Sequence, residues 1–110
     1  MKRVIIYCEG ASEETFINKI LAPAFLTLRI FITATSFGGV SKYSIMRKKL
    51  QNLCRGDGTA LVTTMLDYYG LPQDTPGYKE SQEKSSDIYT CVDYVESEMR
   101  RDIGEDSRRL

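Results

Sequence analysis

Two acidic side chains stand just after apolar segments of the chain, where a carboxylate could hold a metal ion. Glu9 follows the apolar run 3–8, and Asp67 follows the run 60–66. Both runs have the length and composition of buried strands. Ligands of open α/β sheets bind outside the carboxyl ends of the strands, so neighbouring strands would bring the two carboxylates together. Oxygen ligands favour hard cations, and Mg²⁺ or Mn²⁺ would offset the repulsion between two such charges.

A third carboxylate, Glu13, lies four residues after Glu9, one turn into the helix expected after the first strand. Glu13 could point at the same ion or only complement the helix dipole, and the sequence leaves both open. Asp67 could likewise hydrogen-bond its own loop as an Asx turn. The predicted metal ligands are therefore Glu9, Glu13 and Asp67.

The composition removes several other kinds of site. The chain has no histidine, which excludes Ser–His–Asp and Cys–His catalysis and His-ligated zinc. Cys8, Cys54 and Cys91 are isolated, and an odd number without CxxC spacing argues against a disulfide framework or a zinc site. Any metal site must therefore rely on carboxylates.

Charge is distributed unevenly between the two halves of the chain. Residues 1–55 carry nine Lys and Arg against three acids, and residues 56–110 carry six against twelve. A basic half that also holds candidate metal ligands suits a phosphate-bearing partner, although a solvated helix face has the same pattern. The candidates for phosphate or nucleic-acid binding are Gly38, Gly39, Lys42, Arg47 and Lys48.

Hydrophobic periodicity predicts the order β-α-β-α-β-loop-α and hence an α/β fold with a mainly parallel sheet. Strands are expected at 3–8, 28–35 and 60–66, and helices after Ser12, after Ser41 and around 88–99, the last capped by Ser85 or Ser86. Pro23 should end the first helix, and residues 68–87 should form a loop. We expect one domain over residues 1–103 and a polar tail at 104–110.

No apolar run reaches the roughly 20 residues that cross a bilayer. The short basic and apolar start lacks the length and the cleavage pattern of a signal peptide. The sequence therefore predicts a cytoplasmic protein without a membrane partner.

The segments 9–13, 37–39 and 67–72, with Pro76-Gly77, resemble TOPRIM domains, the fold of topoisomerases, primases, recombination-repair proteins and OLD-type nucleases. The resemblance is closest to a prokaryotic TOPRIM-like family of unknown function and covers about residues 3–103. It implies that Glu9 acts as acid/base or metal ligand, that Asp67 binds magnesium, and that Glu13 is the second acid of the OLD-type motif. Tyr69 stands where a second aspartate would be, and a phenol does not replace a carboxylate as a ligand at neutral pH.

The resemblance implies a Mg²⁺-dependent hydrolase of nucleic-acid phosphodiesters, in a mobile-element or phage-defence setting and with an ATPase partner. The alternative is a non-catalytic interaction module, because Tyr69 weakens the site unless another acid such as Asp74 contributes. A receiver-like domain with Asp67 as phosphoacceptor ranks last, since the chain lacks the acid pair after strand one. Related domains continue into a further strand, so the chain resembles an N-terminal portion or a truncated member that is incomplete at the C-terminus. We therefore also expect an open sheet edge that could support a homodimer.

Overall fold

Three parallel strands form the central sheet of the computed structural model, which describes residues 2–36, 42–56, 59–84 and 86–104. The strands are β1 (Lys2–Cys8), β2 (Ile30–Ser36) and β3 (Leu61–Met65). β1 lies in the middle and pairs in parallel with both neighbours, giving the order β2-β1-β3. The predicted α/β class and parallel sheet are confirmed.

Helices connect and cover the strands. They are α1 (Ala11–Phe16), a π-helical turn (Ile17–Leu21), α2 (Ala22–Leu26), α3 (Tyr43–Gly56), a 3₁₀ turn (Tyr68–Gly70), α4 (Tyr78–Lys84) and α5 (Ile88–Ile103). The prediction of a loop over residues 68–87 is wrong, because this segment contains the 3₁₀ turn and α4. α4 is short and polar and buries only Tyr78 and Ser81, so it carries little periodic signal.

The first helical run differs from its prediction at both ends. It begins at Ala11 after an extended Gly10, rather than after Ser12. It also passes through Pro23 and ends at Leu26, because Pro23 falls in the first turn of α2, directly after the π-helical turn. Proline is tolerated in a first turn, where its missing N–H leaves no hydrogen bond unmade.

Asp87 caps α5, so the predicted cap at Ser85 or Ser86 is wrong. The Asp87 carboxylate accepts hydrogen bonds from the backbone N–H of Tyr89 at 3.2 Å and from the Thr90 hydroxyl at 2.9 Å. An aspartate accepts more strongly than serine and adds a negative charge at the helix N-terminus.

The core lies on both faces of β1, which explains its continuous apolar sequence. Tyr7 faces α3 and α5 in a cluster with Met46, Leu50 and Val95. On the opposite face of β1, Ile6 and Cys8 pack with Ile17 of the first helical run. The first helical run and α3 therefore lie on opposite faces of the sheet.

Each outer strand pairs on one side only within the described ranges. The β3 edge includes Leu61, which is 50% exposed. The homodimer through such an edge stays a prediction. None of the helices in the described ranges has the length and apolar character needed to cross a membrane.

Two buried tyrosines, Tyr7 and Tyr43, should make the stability of this core depend on pH in the alkaline range. Burial raises the pKa of Tyr7 to about 12, and burial together with a hydrogen bond to Asp102 raises the pKa of Tyr43. Unfolded tyrosines ionise near pH 10, about two units lower than Tyr7. The contribution of protonated Tyr7 to the free energy of unfolding is therefore fully present below pH 10 and is lost as the pH rises towards 12.

We expect urea midpoints to fall over this alkaline range and to fall less steeply in Tyr7→Phe, which has no phenol to ionise. The tyrosinate absorbance that Tyr7→Phe lacks should appear only together with unfolding. An equally steep fall in Tyr7→Phe would contradict this account.

Candidate functional site

The strand order creates one natural crevice at the carboxyl edge of the sheet. The chain leaves β1 across one face to reach β2, then crosses the other face to reach β3 on the far side of β1. The crevice between the ends of β1 and β3 is thus a topological switch point, the place where open α/β sheets bind ligands. Glu9 directly follows β1, and Asp67 follows β3 by two residues.

Glu9 and Asp67 converge in this crevice. A methyl group added to Gly70 would lie 3.5 Å from Glu9 Oε1 and 3.6 Å from Asp67 Oδ2, so these two oxygens are at most about 7 Å apart. The same three residues line a crevice of about 10 Å³, roughly the space of one water. A Mg²⁺ ion bordering this crevice could place one of its waters inside it and so engage both carboxylates, directly or through its waters.

The two oxygens of Asp67 have different environments. Oδ1 accepts the backbone N–H of Tyr69 at 3.1 Å and so caps the 3₁₀ turn. Oδ2 is turned towards Gly70, on the side of Glu9. The Asx turn is therefore present, and it fixes the carboxylate while directing the second oxygen into the crevice.

A tyrosine cluster anchors the 3₁₀ turn to α4. The Tyr68 hydroxyl lies 2.5 Å from Ser81 Oγ, and Ser81 Oγ donates to the Tyr78 carbonyl at 2.6 Å. The Tyr68 ring packs edge-to-face on Tyr78, with centroids 5.1 Å apart. These contacts hold the turn that carries Asp67. Ser81 was not predictable as part of the site, because a lone serine in a polar segment carries no pattern that marks it as buried.

Glu13 lies in the first turn of α1, with Oε2 3.6 Å from the position that a methyl group on Gly10 would take. No group of three Asp, Glu or Cys side chains within the described ranges is arranged to hold one ion. The structure thus brings Glu9 and Asp67 together, and the ligand role of Glu13 stays a prediction. In its observed position Glu13 complements the helix N-terminus.

The other residues considered near the site have different roles. Asp74 Oδ1 accepts the backbone N–H of Tyr43 at 2.9 Å and so caps α3 from a distant loop. The Asp74 carboxylate is therefore engaged as the N-terminal cap of α3. Tyr69 is 75% exposed, and its ring packs edge-to-face on Tyr68.

Among the candidate phosphate-binding residues, Arg47 is engaged in an ion pair. Its Nε lies 3.0 Å from Asp102 Oδ2, and the same oxygen accepts a hydrogen bond from the Tyr43 hydroxyl at 3.0 Å. The carboxylate offsets much of the Arg47 charge. Lys42 and Lys48 are exposed. Gly38 and Gly39 lie outside the described residues.

Cys8 ends β1 beside the site but is fully buried. Burial, followed by the negative charges of Glu14 and Glu13, raises the pKa of the Cys8 thiol. Because the thiolate is the form that binds metals and attacks electrophiles, Cys8 is a packing residue at neutral pH.

Comparisons with known proteins identify a family and no individual relative. Neither the curated proteins nor the solved structures include a match to this sequence. A family model described as "Domain of unknown function (DUF4276)" matches residues 8–109. The match spans almost the whole chain and includes both carboxylates of the crevice and the tyrosine cluster beside them. The chain therefore belongs to the DUF4276 family.

Proposed function

We propose that this protein binds Mg²⁺ or Mn²⁺ between Glu9 and Asp67 and hydrolyses phosphodiester bonds of nucleic acids. The observation that carries the proposal is the convergence of these carboxylates next to Gly70, at the switch point of a parallel sheet. The resemblance of segments 9–13, 37–39 and 67–72 to TOPRIM domains also supports the proposal. The mobile-element or phage-defence setting and the ATPase partner belong to the same proposal and depend on that resemblance alone.

In the proposed hydrolysis the two carboxylates and two exposed lysines have different roles. A bound cation would polarise a phosphate oxygen and favour hydroxide at neutral pH. Asp67, fixed by its Asx turn, holds one ligand oxygen in place. Glu9 is half-buried at the end of β1, and in this proposal it accepts a proton from the attacking water. Lys42 and Lys48, which are exposed, would attract the nucleic-acid backbone.

Isothermal titration with MnCl₂ or MgCl₂ tests the metal site. We expect one cation per chain in the wild type and at least about a ten-fold loss of affinity in Glu9→Gln and in Asp67→Asn, because each variant removes one of two charged ligands. Glu14→Gln is the matched control, since it removes the same charge one turn into α1. Equal binding by all four proteins would contradict the site.

A cleavage assay on single- and double-stranded DNA and RNA tests the activity. Glu9→Gln and Asp67→Asn should lose cleavage in parallel with metal binding, and EDTA should abolish it in the wild type. Cleavage that survives both substitutions would come from a contaminant and would count against the enzyme.

The alternative is a metal-binding or interaction module without catalysis. It is favoured by the exposed Tyr69 where an acid would be expected, and by the use of Asp74 as an α3 cap. Cation binding that depends on Glu9 and Asp67, without cleavage of any of the four substrates, would select this alternative.

A further inference from the structure

Tyr69 presents an exposed aromatic ring on a fixed backbone beside the acid pair. Its side chain is 75% exposed, although both backbone polar groups are engaged. The N–H donates to Asp67 Oδ1 at 3.1 Å, and the carbonyl accepts the Tyr78 hydroxyl at 3.4 Å. The ring therefore projects from a turn whose position is already set.

Neighbouring rings also limit the orientation of the Tyr69 side chain. It packs against Tyr68 with centroids 5.3 Å apart and planes at 78°. Such an edge-to-face contact covers at most one face of the Tyr69 ring. Tyr68 is itself held by Tyr78 and Ser81. A ring ordered in this way would lose little conformational entropy on stacking with a ligand.

We infer that Tyr69 is a stacking platform for an unpaired base, and that the substrate of the proposed hydrolase is a single-stranded nucleic acid. The inference rests on the proposed function, which supplies the phosphate-binding half of the site. A base stacks on an exposed ring only when its own face is free, as it is in a single strand or a loop. Tyr69 directly precedes Gly70, whose added methyl group would border both carboxylates, so a nucleotide stacked on Tyr69 could reach the acid pair with its phosphate.

The charges of the site favour a division of roles in which the ion attracts the phosphate and Tyr69 binds the base. Without a cation, Glu9 and Asp67 repel phosphate. The ring of Tyr69 carries no charge, so its attraction to a base does not depend on the ion. Tyr69 thus contributes to strand binding and not to metal binding.

The absence of tryptophan from the chain allows a site-specific test. Tyr69→Trp would introduce the sole tryptophan, and a base stacked on it quenches its fluorescence. The matched control is Tyr89→Trp on α5, since Tyr89 is 78% exposed and does not border the acid pair in the chain. We expect oligo(dT) and oligo(U) to quench Tyr69→Trp strongly and Tyr89→Trp weakly.

Fluorescence anisotropy with the same labelled strands completes the test. Tyr69→Ala should lower strand affinity about ten-fold, Tyr69→Phe should retain it, and an abasic strand should bind as weakly as Tyr69→Ala binds the normal strand. Undiminished binding by Tyr69→Ala, equal binding of the abasic strand, or equal quenching of Tyr69→Trp by duplex would overturn the inference.

Metal titration separates this inference from the proposed function. Tyr69→Ala should bind Mn²⁺ as the wild type does, because the ring supplies no ligand. If the wild type binds no cation but still binds strands through Tyr69, the stacking platform is supported and the metal-dependent hydrolase is not. If cation binding is normal and strand binding ignores Tyr69, the platform is overturned and the metal site stands.

Discussion

Replacing Gly77 with alanine is expected to destabilise the fold by about 3 kcal/mol. Gly77 has φ +76°, a left-handed conformation that costs an L-residue about 1–2 kcal/mol. An added Cβ would also lie 2.8 Å from Glu98 Cγ and 2.9 Å from the Tyr94 ring on α5. Such contacts force packed elements apart, at a further cost of about 1–3 kcal/mol.

Two other glycines separate these contributions in urea unfolding measurements. Gly104 has φ +78°, and no atom of the described residues lies within 4 Å of an added Cβ, so Gly104→Ala should lose only the backbone cost of about 1–2 kcal/mol. Gly56, at the end of α3, has no positive φ and no described atom within 4 Å of an added Cβ, so Gly56→Ala should be nearly neutral. A Gly77→Ala variant no less stable than Gly104→Ala would show that α4 and α5 do not meet closely at Gly77.

The close approach at Gly77 also affects the candidate site. Gly77 directly precedes α4, and its carbonyl accepts the Ser81 N–H at 2.8 Å. Ser81 in turn binds the Tyr68 hydroxyl, next to Asp67. The chain of contacts from α5 through α4 to the 3₁₀ turn explains how a remote glycine supports the position of Asp67, the proposed ligand.

The strands and the Glu9–Asp67 pair were predictable because both depend on local signals. Short β-branched runs identify buried strands, and residues after neighbouring parallel strands must meet at one edge of the sheet. The sequence did not reveal which strand lies in the centre. That order, with β1 between its neighbours, makes the edge a switch point rather than an arbitrary loop cluster.

Long-range polar partners were not predictable. Asp74 caps α3 across 31 positions of sequence, and Arg47 pairs with Asp102 across 55. A single charged residue looks the same in the sequence whether its partner is distant or is water, because such pairs have no periodicity. The same holds for Asp87, whose role as α5 cap depends on where the helix begins.

A substitution at Gly70 tests the candidate site while both carboxylates remain in place. Gly70 does not have a positive φ, and an added methyl group would lie 3.5–3.7 Å from its neighbours, an ordinary contact distance. Gly70→Ala should therefore change the free energy of unfolding by no more than about 0.5 kcal/mol. The methyl group would nevertheless border both Glu9 Oε1 and Asp67 Oδ2.

Gly70→Ala is expected to weaken Mg²⁺ and Mn²⁺ binding at least about ten-fold while both carboxylates remain in place. Mg²⁺ keeps several waters in an octahedral shell, and a methyl group in a crevice of about 10 Å³ takes the space of such a water. Calorimetric titration of Gly70→Ala against Gly56→Ala measures the effect, because the control adds the same methyl group where no atom of the described chain lies within 4 Å. Unchanged affinity in Gly70→Ala, with loss in Glu9→Gln, would place the ion on the outer side of the carboxylates. Loss in both variants would place it in the crevice beside Gly70.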